Sequence, residues 1–426
     1  MEKKSNITAI FLLAVLLPVF YGCSNRGQQS EGSANNGLRL AVFEVDATPP
    51  IGYQMAYNPV VKTSDLGLRA KGMVLLGAGQ PVVLVAVDWI GIANESQDEF
   101  KRALAGAAGT IPSRVAVHSL HQHDAPRGDI QSDFVVTVLH KLEMALAKSL
   151  NNTQPVTHVG MGEAEVFKVA SNRRPLGADG KVIGVRYTAC TDSALRALPE
   201  GTVDPMVSEI SFWNEEKPVA VLSFYATHPQ SYYQTGIPNP DYPGIARFTR
   251  QLAVPEAMHI HFTGAGGNIG AGKYNDGSHE MRGILASRLT DGMKRAWEST
   301  RREPIRARDI KWTTEPVALI PDSAKSNNSI FWQRYKAGKT IDIECLSLGE
   351  ARILFMPGEL FVEYQLAAKE MRPDLFVTMA AYGDGGPGYI PTAAAFTQGG
   401  YESSVTRMVP EDEEILMKAM NKLLEK

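Results

Sequence analysis

The chain has only three cysteines in 426 residues, which excludes a disulfide-stapled scaffold. Neither charge dominates. Forty-three Lys and Arg stand against 46 Asp and Glu, for a net charge of -3 and a pI near 6.3. With no basic block as well, binding to nucleic acid through bulk charge is excluded. An apolar content of 44% at this small net charge excludes a disordered chain. The glycine-rich stretch 264–270, Gly-Ala-Gly-Gly-Asn-Ile-Gly, lacks the Gly-Lys-Ser/Thr of a Walker loop and the G-x-G-x-x-G of a dinucleotide site. What remains is a globular chain long enough for one large domain or two ordinary ones.

The N-terminus reads as an address. Lys3 and Lys4 precede an apolar run over residues 7–20 that contains Pro18 and is shorter than the roughly 20 residues of a membrane helix. Tyr21-Gly22-Cys23 follows, the pattern of a bacterial lipoprotein signal with Cys23 as the lipidated residue; a plain secretory signal is the alternative. Residues 24–37 are polar and rich in Ser, Asn and Gly, as in a flexible tether. The expected organisation is a signal peptide over 1–22, a tether over 23–37 and one domain over 38–426. The protein is expected to be exported and held on a bacterial membrane, periplasmic or on the outer membrane, through Cys23. Cys190 and Cys345 fit either two buried thiols or one disulfide.

Period-2 and period-3.6 patterns alternate along the domain. Strands are expected at 38–46, 73–76, 81–88, 115–123, 207–213, 219–228 and 340–359, and at 377–383, with hairpin turns at 77–80 and 214–217. Helices are expected at 94–104, 134–150, 242–252, 280–297, 360–371 and 410–426. This mixture predicts an α/β (mixed α+β) domain with mixed sheets. The sequence shows no internal repeat.

Chemistry-bearing side chains cluster at strand ends. On an extended strand His121 and His123 share a face, a common half-site for a metal. His228 and Glu359 each follow an apolar strand, and residues 383–389 form a Gly/Pro loop ending at Tyr389. Two histidines and one carboxylate with an open water position make a hydrolytic zinc arrangement. His259 and His261 form a second H-x-H with no carboxylate set and are read as structural. His118 is read as buried and hydrogen-bonded, and His140 and His158 as surface or helix-face residues. Trp332 and Tyr335 either wall a pocket or pack a loop.

In this order the motifs resemble the catalytic domain of the neutral (alkaline, non-lysosomal) ceramidases. The family's T-H-T-H-S-G-P is matched by Leu120-His121-Gln122-His123-Asp124-Ala125-Pro126. Its Asn-Arg element is matched by Asn172-Arg173, its later histidine by His228 and its D-Y-P-G turn by Asp241-Tyr242-Pro243-Gly244. Its P-G-E is matched by Pro357-Gly358-Glu359, its G-Y-(V/I)-x-T by residues 388–392, and its G-Y-E by Gly400-Tyr401-Glu402. The resemblance implies Zn2+ held by His121, His228, Glu359 and Tyr389. It implies His123 beside the metal water as proton acceptor, with a pKa suited to neutral pH, and Arg173 and Tyr401 facing the substrate's polar head or developing oxyanion. Zinc-bound hydroxide would then attack an amide (N-acyl) bond of a lipid or related small-molecule substrate.

Three departures qualify the resemblance. The family's catalytic Ser is replaced by Gly270, for which Lys273 or Tyr274 is the expected substitute donor. Asp124 adds a carboxylate expected near the metal. The family's C-terminal β-sandwich is not expected in this chain. These points leave two competing readings: a non-catalytic surface lipoprotein binding a glycan or lipid, and a two-metal phosphoesterase using Asp88 and Asp124.

Overall fold

The computed structural model of the protein describes residues 37–425, so the apolar segment, Cys23 and the tether up to residue 36 lie outside the described residues. The described chain folds into three main sheets. In the first, β1 (Arg39–Asp46), β2 (Arg69–Leu76) and β3 (Val82–Val87) form an antiparallel meander. Helix α1 (Glu95–Ala108) then carries the chain to β4 (Val115–Ser119), parallel to β3. Helix α2 (Asp133–Ser149) follows.

The second sheet repeats this plan. Strands β5 (His158–Glu165), β6 (Met206–Asn214) and β7 (Lys217–Tyr225) are antiparallel. Helix α3 (Asp241–Ala253) leads to β8 (Met258–Thr263), parallel to β7. Helix α4 (Glu280–Glu298) and an edge strand β9 (Arg301–Pro304) complete it. The third sheet follows the same order with β10 (Ile310–Val317), β11 (Ile341–Leu348) and β12 (Ala351–Phe355), then helix α5 (Val362–Met371) and β13 (Phe376–Ala380), parallel to β12. Helix α6 (Asp412–Glu425) closes the described chain.

Strand alternation explains how the layers stack. In β3, Val82, Leu84 and Ala86 belong to one apolar cluster, and Val83, Val85 and Val87 to another. The first cluster draws residues from all three sheets, so the sheets share a central core. The outer faces have separate cores: α1 and α2 cover the first sheet, α3 and α4 the second, α5 and α6 the third. Both faces of each sheet are therefore buried, which is why the central strands read as unbroken apolar runs.

Two expectations are corrected here. Strand β4 stops at Ser119, so His121 and His123 are not on a strand. His121 has a positive φ of 66°, and its amide bonds the Trp89 carbonyl at 2.9 Å. The second concerns His158, which lies half-buried on a strand rather than on a helix face. Cys190 and Cys345 are both buried free thiols.

Candidate metal centre

Ligands of α/β sheets collect beyond the carboxyl ends of parallel strands, and each of the three sheets contributes a chain segment at that end. His121 follows β4, His228 follows β7 and Glu359 follows β12. One donor atom from each lies within 4.8 Å of the others. Glu359 Oε2 is 3.3 Å from His121 Nε2 and 3.4 Å from His228 Nε2.

Ring orientation is set from behind. His121 Nδ1 donates to the Ile90 carbonyl at 2.8 Å. His228 Nδ1 faces the carbonyls of Gly266 at 2.7 Å and Ile269 at 3.0 Å. Tyr242 Oη donates to the His228 carbonyl at 2.7 Å, which explains the Asp-Tyr-Pro-Gly turn. With Nδ1 protonated, each Nε2 presents a lone pair, as metal-bound histidines do. Glu359 Oε2 faces both and is buried without a hydrogen-bond partner. Three converging lone-pair donors repel unless a cation lies between them, so this set fits a metal ion.

Electrostatics agree with that geometry. Burial works to raise the Glu359 carboxyl, but His121 and His228 override it and hold it well below its usual range. Burial, helped by the Arg173 cation, lowers His228 to about 4. His123 is also held well below its ordinary value, by burial and then by the charges of His121 and His228, rather than sitting near neutral pH.

The remaining family-matched residues surround this centre. A short parallel pairing of Glu359–Leu360 with Tyr389–Ile390 sets Tyr389 opposite Glu359. Tyr389 Oη lies 3.3 Å from His228 Nε2 and 3.3 Å from Arg173 Nη1. Arg173 Nη1 is 3.1 Å from His228 Nε2, and its Nε is 3.3 Å from buried Glu402. His123 Nε2 is 3.3 Å from His121 Nε2, yet His123 is not part of the three-donor group. Tyr401 is half-exposed, its ring 5.9 Å from that of Tyr389 and 5.7 Å from the Arg173 guanidinium. All seven residues line one open cavity of about 690 Å³.

Several expected contributors are elsewhere. Lys273 Nζ donates to the Arg196 carbonyl at 2.9 Å, and Tyr274 Oη bonds Glu200; neither lines the cavity. At Gly270 a Cβ would meet Arg173 Cγ at 3.3 Å, so the Arg173 stem fills the space a side chain would need. Asp124 accepts from Thr235 Oγ1 at 2.7 Å and buttresses the loop around it instead of approaching the centre. Asp88 forms a two-pronged pair with Arg247 at 2.7 Å per bond, so the two acids of the phosphoesterase reading are both spent on structure. Trp332 and Tyr335 pack on each other, while Ile330 of the same helix reaches the cavity. His261 bonds Ser223 Oγ at 2.9 Å and His259 is buried, both as structural histidines. His118 is buried with Nδ1 on the Ala381 carbonyl at 2.7 Å.

Sequence reading missed Tyr382, whose ring stacks on His121 at 4.8 Å from a positive-φ position. It also missed Gln230 and the cavity-lining Tyr57, Tyr187 and Tyr233. Only Gln230, two residues after His228, carried a positional signal.

The fold is shared with solved structures. A ceramidase complexed with C2 superposes with a TM-score of 0.66 at 14% identity, covering 91% of this chain and 75% of that one. The fold is that of the neutral ceramidases. The neutral ceramidase from Pseudomonas aeruginosa gives a TM-score of 0.63 at 15% identity, with the same coverage of both chains. No protein-family profile and no curated protein sequence matches the chain. The neutral-ceramidase likeness is thus carried by three-dimensional structure, in a mixed α/β fold.

Proposed function

We propose that this protein is a zinc-dependent hydrolase that cleaves an amide (N-acyl) bond of a lipid or related substrate. The observation that supports it is the convergence of His121 Nε2, His228 Nε2 and the unpartnered Glu359 Oε2. Two imidazoles and one carboxylate form the donor set of zinc hydrolases, with Tyr389 as a fourth protein neighbour. Zinc bound there supplies a Lewis acid and a water activated near neutral pH.

The surrounding residues then divide the work. Arg173, kept cationic by Tyr389 and Glu402 against the cost of burial, faces the acyl oxygen as negative charge develops. Tyr401 borders the open side and contacts the substrate's polar arm. His123 is neutral and stands beside the donors, placed to take a proton from water and return it to the departing nitrogen. The balance is simple: the C–N bond breaks, the water oxygen ends on the acyl carbon, and the amine leaves protonated. We place this activity outside the cytoplasm, on a chain tethered through Cys23, on the strength of the N-terminal sequence pattern.

Elemental analysis of purified residues 38–426 tests the reading. About one zinc per chain is expected in wild type, lost in both His121→Ala and Glu359→Ala. An N-acyl lipid screen should then find turnover. Absence of bound metal after reconstitution with zinc would sink the hydrolase and leave a lipid- or glycan-binding protein.

A further inference from the structure

Gln230 is 2% exposed and lines the same cavity as the metal donors. Its Nε2 lies 3.2 Å from His123 Nε2, so the N–H side of its amide is turned to the imidazole beside the centre. Its Oε1 is buried and has no hydrogen-bond partner. An unpaired buried acceptor is costly, and native proteins keep few of them. Because Gln230 lines the cavity that holds the metal donors, a substrate group bound there can relieve that cost.

We propose that Gln230 Oε1 accepts the N–H of a secondary amide substrate, making Gln230 the residue that selects amides over esters. This rests on the hydrolase reading above. The chemistry is one-sided. A secondary amide offers one N–H beside its carbonyl, and Oε1 has no donor of its own. An ester puts an oxygen lone pair in the same place, and an N-methylated amide puts a methyl group there. Both leave Oε1 unpaired, and the ester adds repulsion. A site built around a hydrogen bond rejects the analogue lacking it far better than an apolar pocket rejects a missing methylene. Gly270 contributes no side chain to the cavity, so Gln230 also supplies a polar contact in a site lacking the serine expected from the resemblance.

The test uses zinc-loaded protein and three matched compounds: octanoyl p-nitroanilide, its N-methyl derivative and p-nitrophenyl octanoate. In wild type the secondary anilide should be bound and cleaved in preference to its N-methyl derivative. In Gln230→Met, kcat/KM for the anilide should fall about 10- to 100-fold further than that for the ester, since loss of the His123 contact acts on both substrates and loss of Oε1 on the anilide alone. Gln230→Glu keeps an acceptor and should restore most of the anilide preference. Calorimetric binding of the anilide and its N-methyl derivative gives a readout independent of turnover. Equal losses on anilide and ester would overturn the assignment and leave Gln230 as support for His123. Unchanged selectivity in Gln230→Met would overturn it too. A wild-type protein that neither binds nor cleaves any of the three would overturn the hydrolase reading along with it.

Discussion

His123 and His121 differ by two positions but stand in different relations to the centre. His121 is pinned through Nδ1 to a carbonyl and belongs to the three-donor group. His123 packs between Tyr57 and Tyr233, with ring centroids 5.4 and 4.7 Å away, and stays outside the group. Replacing it should therefore separate chemistry from metal binding. His123→Ala is expected to retain full zinc stoichiometry while kcat falls by about 10²- to 10⁴-fold, the usual share of a general acid–base group. Loss of zinc together with activity in this variant would make His123 a ligand instead. Strand-end position and the resemblance to the neutral ceramidases brought His121, His228 and Glu359 forward as donors. They could not reject Asp124, because the Thr235 hydroxyl that occupies that carboxylate is 111 residues away.

Among the elements, the 264–270 loop after β8 does the most to assemble the site. It passes between two donor-bearing segments and presents the Gly266 and Ile269 carbonyls to His228. A Cβ at Gly267 would sit 2.3 Å from the Glu359 carbonyl oxygen, and one at Gly266 would sit 2.8 Å from the Thr227 backbone. Neither neighbour is a flexible side chain, so backbone must move. Gly267→Ala should thus lower stability by about 1–3 kcal/mol and displace Glu359. Zinc affinity measured by competition with a chelator is expected to drop at least about tenfold, as for a disturbed supporting shell. An unchanged zinc affinity would show that the loop only fills space. From the sequence this loop was a glycine-rich turn open to close approach. The strand pairs and the long helices were legible because their patterns repeat over two to four residues. The end of β4 was not, because tertiary bonds draw the chain away: the Ser119 amide donates to the Tyr382 carbonyl, and at His121 the backbone turns to positive φ with its amide on the Trp89 carbonyl.

At the scale of the whole molecule, buried ionisable groups tie stability to pH. Glu209 on β6 lies opposite Ser223 on β7, which lies opposite His261 on β8. Burial raises Glu209 to about 8, and Arg250 only partly offsets it; burial raises Glu344 to about 7 as well, against Lys101. Burial also lowers His259 and His261 to about 3 and His118 to about 4. The signs oppose each other. For the histidines, folding stability is fully present above about pH 6.5, their unfolded value, and is lost as pH falls, because the unfolded chain takes up protons first. For the two acids, stability is fully present below about pH 4.5 and is lost as pH rises towards 7 and 8, because the unfolded chain releases protons first. The metal-free protein should therefore be most heat-stable near pH 6.5, falling gently at first on the acid side, where the two acids partly offset the three histidines, steeply below about pH 4.5, and again on the alkaline side up to pH 8. Glu209→Gln should flatten the alkaline limb in a series of melting temperatures. A wild-type melting temperature that climbs from pH 6.5 to 8 would contradict this account.

What the sequence determined by itself were the local pieces: the meander strands, the amphipathic helices, and loops carrying His121, His228, Glu359 and Tyr389. Those follow from periodicity, turn residues and motif order, all of which act over short stretches of chain. Tertiary structure alone decided that three meander–helix–strand units of one topology enclose a common core. That plan has no sequence repeat because buried strands accept any apolar side chains of suitable volume. It also decided which polar groups meet. Glu359 reaches His121 and His228, and Gln230 reaches His123 in the same cavity, only because three carboxyl strand ends converge. Asp88, Asp124, Lys273 and Tyr274 are withdrawn by partners from elsewhere in the chain. Residue type announces what a side chain can do, and the burial and pairing set by distant segments decide whether it remains free to do it.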